Sequence, residues 1–299
     1  MDQRILRAIR DPYYAGGAIL NRLAPYIRND ERYVRWSYFL ATHQHLDLDT
    51  PKTFNEKLQW LKLHDQRPEY TMMVDKYAVK EYIANILGKE YVFETLGVWN
   101  DFDDIDFFQL PNQFVLKCTH DSGGLIICRD KAKLDMSAAR NRIKHCMRKN
   151  YYYASREYPY RDVPHRIIAE PLMVDESGVE LKDYKIFCFN GTPKMIEVDF
   201  GRFSEHQRNI YDTNWMLMDL ELKYPRNPSL EIDRPAHLDE MLEIAGRLSQ
   251  DIPHVRVDLY YINGKIYFGE LTFFHGSGYE SFRPEKWNEK AGEWLGLPI

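Results

Sequence analysis

The chain has 299 residues, enough for two domains or one domain with subdomains, and 44% of them are hydrophobic, which is ordinary for a globular protein. Its net charge of −5 gives no electrostatic footprint for nucleic acid, and no apolar run approaches the length of a membrane span. Four cysteines, Cys118, Cys128, Cys146 and Cys188, show neither a CxxC pair nor metal spacing, so they read as small buried hydrophobes of a reducing cytosol.

Residues 1–35 carry Arg4, Arg7, Arg10, Arg22, Arg28, Arg32 and Arg35 among Ile5, Leu6, Ile9, Ile19, Leu20 and Leu23. Such a basic, amphipathic stretch either lies on an anionic membrane surface or, more commonly, packs on its own domain. TFNEKLQWL (53–61) predicts a capped helix with Leu58 and Leu61 on one face. A second helix is predicted over 74–87; it opens with Asp75-Lys76 and sets Lys76 and Lys80 four apart on one side, where lysines are ordinarily solvated. The DFD and DID triplets of 101–106 read as a solvated acidic turn.

QFVLKC (113–118) is a short apolar strand interrupted by Lys117; Ser122-Gly123-Gly124 follows, and then a return strand at 125–128. A strand, a small-residue loop and a return strand can fold over a phosphate chain with bare N–H groups facing the anion, and Lys117 can reach a phosphate oxygen from the sheet. The Walker pattern is absent, and an ordinary glycine turn is the simpler alternative. A basic helix is predicted over 136–150, an aromatic and charged loop over 151–166, and a strand over 167–173 that runs into Pro171. Residues 184–189 and 194–198 flank Asn190-Gly191 as a hairpin with Asp183, Lys185 and Phe187 on one face. LDEMLEIAGRL (238–248) is an amphipathic helix.

That helix leads into VRVDLYYINGKIYFGELTFFHGSG (255–278), two strands joined at Asn263-Gly264. Alternation puts Val255, Val257, Leu259 and Tyr261 on one face of the first strand, and Arg256, Asp258 and Tyr260 on the other. The second strand divides into Tyr267, Gly269 and Leu271 against Phe268, Glu270 and Thr272. Two carboxylates on one half-buried face repel unless a divalent cation joins them, and Asp and Glu oxygens with positions left for phosphate suit Mg²⁺. A regular two-residue hairpin would send Asp258 and Glu270 to opposite faces, so a common face predicts a three-residue loop or bulge near Gly264. Solvated charges on an edge hairpin are the plain alternative.

The order of these signals resembles the ATP-grasp superfamily, and TFNEKLQWLKLHD, VDKYAVKEYI, LPNQFVLKCTHDSGG, LKDYKIFCFNG and GELTFFHGSG resemble the blocks of its TupA-like family from bacterial surface-polysaccharide gene clusters. The resemblance spans Thr53 to Gly278. It implies an α+β fold of two α+β subdomains closing on ATP, here a small one over 71–170 and a large one over 171–299, after a helical segment at 1–70. It also implies roles at matching positions. Lys76 and Lys117 would hold ATP phosphates under a flap of Ser122, Gly123 and Gly124. Glu170 would face the adenine amino group, with backbone near Met173 completing base recognition, and Asp183 would take the ribose hydroxyls. Lys185 would meet the γ-phosphate, Arg256 would stabilise the transferred phosphoryl, and Asp258 and Glu270 would bind Mg²⁺. Thr272 stands where the superfamily commonly has Asn, which puts its place as a metal ligand in doubt. His275 would contact the acceptor or act as base, or be structural.

The expected activity is an ATP- and Mg²⁺-dependent carboxylate–amine ligase of the cytoplasm, at most peripheral to the membrane. Its partners would be a polysaccharide or sugar-acid precursor and a small amine or amino-acid co-substrate, with a uronic acid amidated through an acyl phosphate. Three other readings stay open: an ATP-grasp kinase acting on a sugar hydroxyl, a glycosyltransferase, and a non-catalytic nucleotide-binding scaffold.

Overall fold

The computed structural model describes residues 10–174, 183–201 and 205–298; Arg4, Ile5, Leu6, Arg7 and Ile9 of the basic N-terminal stretch lie outside the described residues. The chain opens with a helical pair, α1 (Pro12–Leu23) and α2 (Asp30–Thr42). Helix α3 (Phe54–His64) begins at Thr53, whose hydroxyl accepts from Glu56 N while the Glu56 carboxylate reaches back to Thr53 N, a closed capping box. The helix expected at 74–87 starts later, as α5 (Ala78–Ile86), and a separate short helix, α4 (Glu69–Val74), precedes it. Asp75 causes the break: its carboxylate accepts from Tyr77 N at 2.9 Å and Ala78 N at 3.3 Å, competing with the helical ladder. Lys76 is therefore a turn residue rather than a member of a helical stripe.

Four strands, β1 (Gly97–Trp99), β2 (Phe114–Cys118), β3 (Leu125–Cys128) and β4 (Ile167–Pro171), form a small antiparallel sheet in the order β1-β4-β2-β3. Helix α6 (Met136–Met147) covers it, burying Ala139, Ile143 and Cys146 against Phe114, Leu116 and Ile167. A larger antiparallel sheet holds β5 (Asp183–Phe189), β6 (Thr192–Phe200), β7 (Gln207–Tyr211), β8 (His254–Ile262) and β9 (Lys265–Thr272), ordered β9-β8-β5-β6-β7. The amphipathic helix α7 (Leu238–Leu248) lays Leu238, Met241, Ile244, Ala245 and Leu248 into its core with Ile186, Val257 and Leu259. Helices α3 to α5 bury Phe54, Leu58, Tyr70, Val79 and Ile83 in that same core, and α8 (Lys286–Trp294) closes the chain against α3. All four cysteines are free and buried. Among the described residues no helix is long and apolar enough to cross a membrane.

Candidate active site

The turn between β8 and β9 is a plain two-residue one: Ile262 pairs with Lys265, and Asn263 and Gly264 both take positive φ, 49° and 79°. No extra residue sits at Gly264, contrary to the sequence expectation. The bulge lies five residues further on, at Gly269, where Phe268 pairs with Leu259 and Glu270 pairs with Asp258. Only glycine fits this approach, since a Cβ there would stand 2.9 Å from Asp258 O and 3.0 Å from the Tyr260 ring. The slip also corrects the simple alternation. Phe268 turns into the core with Leu259, while Glu270 and Thr272 join Asp258 and Arg256 on the opposite face.

On that face the Arg256 guanidinium grips Asp258 at 2.7 and 2.6 Å and reaches Glu270 at 3.3 Å and Thr272 Oγ1 at 3.2 Å. Burial pushes the Asp258 carboxyl up to about 7; Glu270's charge adds to this and Arg256 opposes it. Asp258 is buried, whereas the Glu270 side chain is 49% exposed and looks into open space.

Register carries the row of charge across the sheet, because Lys185 pairs with Asp258 on one side and Glu197 on the other. Lys185 Nζ lies 2.8 Å from Asp183, 2.9 Å from Asp199 and 3.8 Å from Glu197. Sequence reading missed the outer part of this row. Arg208 holds Glu197 at 2.9 Å and Asp199 at 2.7 Å, and His206 Nε2 meets Asp199 Oδ1 at 3.0 Å while stacking on Tyr224. The signal for this outer part is the alternation of Glu197 and Asp199 in EVDF, which continues past Val198, the end of the predicted strand. Burial alone would raise Glu197 and Asp199; Glu197 is instead held low by His275 and Arg208, and Asp199 by Arg208 and Lys185. His275 is itself buried, 3.2 Å from Glu280 and 3.5 Å from Glu197, with its ring edge-on to Phe187. It sits inside this ionic network and does not face the cleft.

The other side of the cleft presents lysines, one from the small sheet and two from the α4–α5 segment. Lys117 on β2 and Lys80 on α5 both reach Glu170 at 2.5 Å, one to each carboxylate oxygen, and hold its pKa down against the effect of burial. Lys76 Nζ donates to Asp121 O at 2.6 Å, tying it to the loop that carries Ser122, Gly123 and Gly124. Between the sheets lies a cleft of about 480 Å³ whose lining includes Lys76, Lys80, Lys117, Ser122, Gly124 and Glu170 from one side, and Asp183, Lys185, Asp199, His206, Asp258 and Glu270 from the other. Arg256 and Thr272 stand behind the two carboxylates. Gly123 is an exposed residue of the loop outside the cleft lining, with its carbonyl accepting from Leu125 N at 3.0 Å, and Met173 is half-buried just past β4. The DFD and DID triplets are elsewhere, in a turn pinned by Arg140 and Lys144 to Asp103 at 2.6 and 2.7 Å.

The donor set fits a phosphate-bound cation. Three lysines face two paired carboxylates across the cleft, so a polyanion can lie against one wall and a hard divalent ion can join it to the other. Among the described residues no three His, Cys, Asp or Glu side chains gather for a metal, which leaves Asp258 and Glu270 as a two-carboxylate site with its other positions open.

The family model described as TupA-like ATPgrasp matches residues 56–296. The chain belongs to the TupA-like ATP-grasp family. That places it in the ATP-grasp ligase superfamily, whose α+β fold is the one described above. No curated protein matches the chain. Among solved structures it is similar to the D-alanine–D-alanine ligase of Helicobacter pylori, at 15% identity and a TM-score of 0.44, covering 82% of this chain and 69% of that one. The ATP-grasp ligase PsnB in complex with a minimal precursor aligns at 13% identity and a TM-score of 0.39, covering 73% of this chain and 58% of that one. A RimK domain ATP-grasp protein from Sphaerobacter thermophilus aligns at 12% identity and a TM-score of 0.41, covering 76% and 69%.

Proposed function

We propose that this TupA-like protein is an ATP- and Mg²⁺-dependent carboxylate–amine ligase acting on a surface-polysaccharide precursor, for example amidating a uronic acid. The observation that carries the reading is the cleft itself, with lysines and a glycine loop on one wall and the Asp258–Glu270 pair on the other. Residues 71–170 and 171–299 are taken as the two subdomains after the helical segment 1–70, although α4 and α5 lie in the core of the larger sheet.

In this reading Lys76 and Lys117 hold phosphate oxygens, Ser122, Gly123 and Gly124 cover them, and Lys185 meets the terminal phosphoryl. Glu170 and the backbone near Met173 face the base, and Asp183 takes the ribose. Asp258 and Glu270, with Thr272 beside them, would hold Mg²⁺, which supplies neutralising charge when bound. The acceptor carboxylate oxygen attacks the terminal phosphorus and ADP leaves; an amine then attacks the acyl carbon, losing a proton as phosphate departs. Arg256 offsets the charge that develops in both steps. His275 acts from within the Glu197–Glu280 network, by positioning.

The test is a thermal-shift titration with Mg·ATP, followed by ADP release in the presence of sugar acids with and without amines. Lys117→Ala should lose most of the ATP-induced shift, since a charge-assisted bond contributes roughly 1.5–3 kcal/mol. Hydrogen exchange at Ser122–Gly124 should slow with nucleotide. An unchanged shift in Lys117→Ala counts against the site, and consumption of a sugar nucleotide in place of ATP would overturn the reading.

A further inference from the structure

The outer face of α1 has no role in the cleft. Its inner side buries Leu20, and Ala24 and Tyr33 pack beside it. Its outer side shows Ile19 at 62% exposure and Leu23 at 49%, one helical turn apart, and Tyr26 at 82% continues the same stripe. Arg22 lies within the stripe and Arg28 just beyond it. On α2, Trp36 is 49% exposed with the Arg32 guanidinium 6.0 Å from its ring centroid.

The charges here are uneven in an informative way. Asp30 is taken by Arg156 at 2.7 Å and Glu31 by Arg35 at 2.8 Å, while the Asp11 carboxylate caps α1. Arg10, Arg22, Arg28 and Arg32 have no carboxylate within ion-pair distance among the described residues, although the whole chain carries −5. Large exposed apolar groups are interleaved with these arginines along one face. A protein partner needs about 800 Å² of matched surface on each side, which three side chains on one short helix and the turn after it do not supply. A bilayer interface needs none, because it accepts an apolar stripe while arginines spread to anionic headgroups.

We propose that the outer face of α1 and of the turn that follows it, Ile19, Leu23 and Tyr26 with Arg22 and Arg28, is a docking surface for an anionic lipid bilayer. The hairpin is fixed firmly enough to transmit such docking. Arg156, fully buried, donates to Ala24 O and Ile27 O at 2.8 Å each, and Tyr33 OH donates to Ala154 O at 3.0 Å. The segment that begins there runs to Tyr160, which lies beside Lys76 and Glu270 at the end of the cleft. Docking would thus hold the catalytic end at a fixed relation to the membrane, which suits an acceptor carried on a lipid.

The test is flotation of the full chain with phosphatidylglycerol vesicles and with phosphatidylcholine vesicles. Binding is expected on the first, absent on the second, and weaker as salt rises. Arg22→Gln with Arg28→Gln should weaken it by more than about tenfold, at about fivefold per arginine. The triple variant Ile19→Ser, Leu23→Ser, Tyr26→Ser should abolish it while keeping the thermal midpoint and the Mg·ATP shift of the native chain. Three results would overturn the proposal: no flotation with phosphatidylglycerol, equal flotation of native and triple variant, or a native dimer that the triple variant dissociates, which would make the face an interface between copies. None depends on the ligase reading, which stands or falls on nucleotide binding.

Discussion

Glu270 sits directly opposite Asp258 because Gly269, and not the turn, absorbs one residue of β9. The common face of the two carboxylates is therefore set within the ladder, one residue from the carboxylate it orients.

Gly269→Val should strike this arrangement. Its Cβ would press on Asp258 O at 2.9 Å, a backbone atom that cannot move aside cheaply. We expect a loss of about 1–3 kcal/mol in chemical denaturation, together with a reduced Mg·ATP shift. Native stability in this variant would show that the bulge is adaptable and not a fixed support.

The two carboxylates should respond differently to neutralisation. Asp258 is buried in the Arg256 fork with its pKa pushed up to about 7, so the native chain loses stability as the pH rises from 3.8 to about 7, and Asp258→Asn should escape that loss. Glu270 is half exposed, and Glu270→Gln should leave stability within about 0.5 kcal/mol of native. Both should lower turnover sharply. A stability–pH slope for Asp258→Asn that parallels the native one over this range would contradict the buried, raised carboxyl.

His254 supplies a pH prediction. It is buried among Phe54, Phe187 and Phe189, its Nδ1 lies 2.9 Å from Cys188 O, and burial drives its pKa from 6.5 down to about 3. Between those values the unfolded chain binds a proton that the native chain refuses. Stability present above pH 6.5 is therefore lost as the pH falls, at up to about 1.4 kcal/mol per pH unit. His254→Phe should flatten the stability–pH slope below 6.5 by about one proton. Parallel slopes for native and variant would rule this out.

Arg156 adopts φ 58° and packs its guanidinium 4.2 Å from the Tyr33 ring centroid while pairing with Asp30. Lysine cannot reproduce the fork, so Arg156→Lys should cost about 3 kcal/mol and expose α1 and α2 to protease before the rest of the chain. Uniform cleavage along the chain would argue against a separately anchored hairpin.

Much of this cleft is legible in the sequence. Period-two alternation in 255–260 separated Arg256 and Asp258 from Val255 and Val257, and the position of Lys117 before a glycine loop marked the opposite wall. Three things were not legible, each for a physical reason. A bulge leaves no local signature beyond a glycine, and by sequence Gly264 in the Asn-Gly turn is as good a candidate as Gly269. The helix break at Asp75 depends on the side chain of Asp75 winning over a propensity that favours continuation through Lys76 and Tyr77. Arg208, His206 and Glu280 enter through strand pairing and loop return, which bring together residues far apart in sequence; that is also why His275 lies within a carboxylate network instead of at the cleft.

The two walls of the cleft also act on each other. Lys80 is carried by α5, which packs in the core of the larger sheet, yet it pairs with Glu170 on β4 of the smaller one at 2.5 Å, and Lys76, from the turn before α5, donates to Asp121 O beside the glycine loop. The two sheets are thus tied across the cleft with nothing between them. Salt weakens such ties, because at about 0.15 M the screening length is about 8 Å. Dilute buffer should hold the cleft more tightly and slow nucleotide entry, and moderate salt should quicken it, the reverse of what simple attraction between ATP and lysines would give.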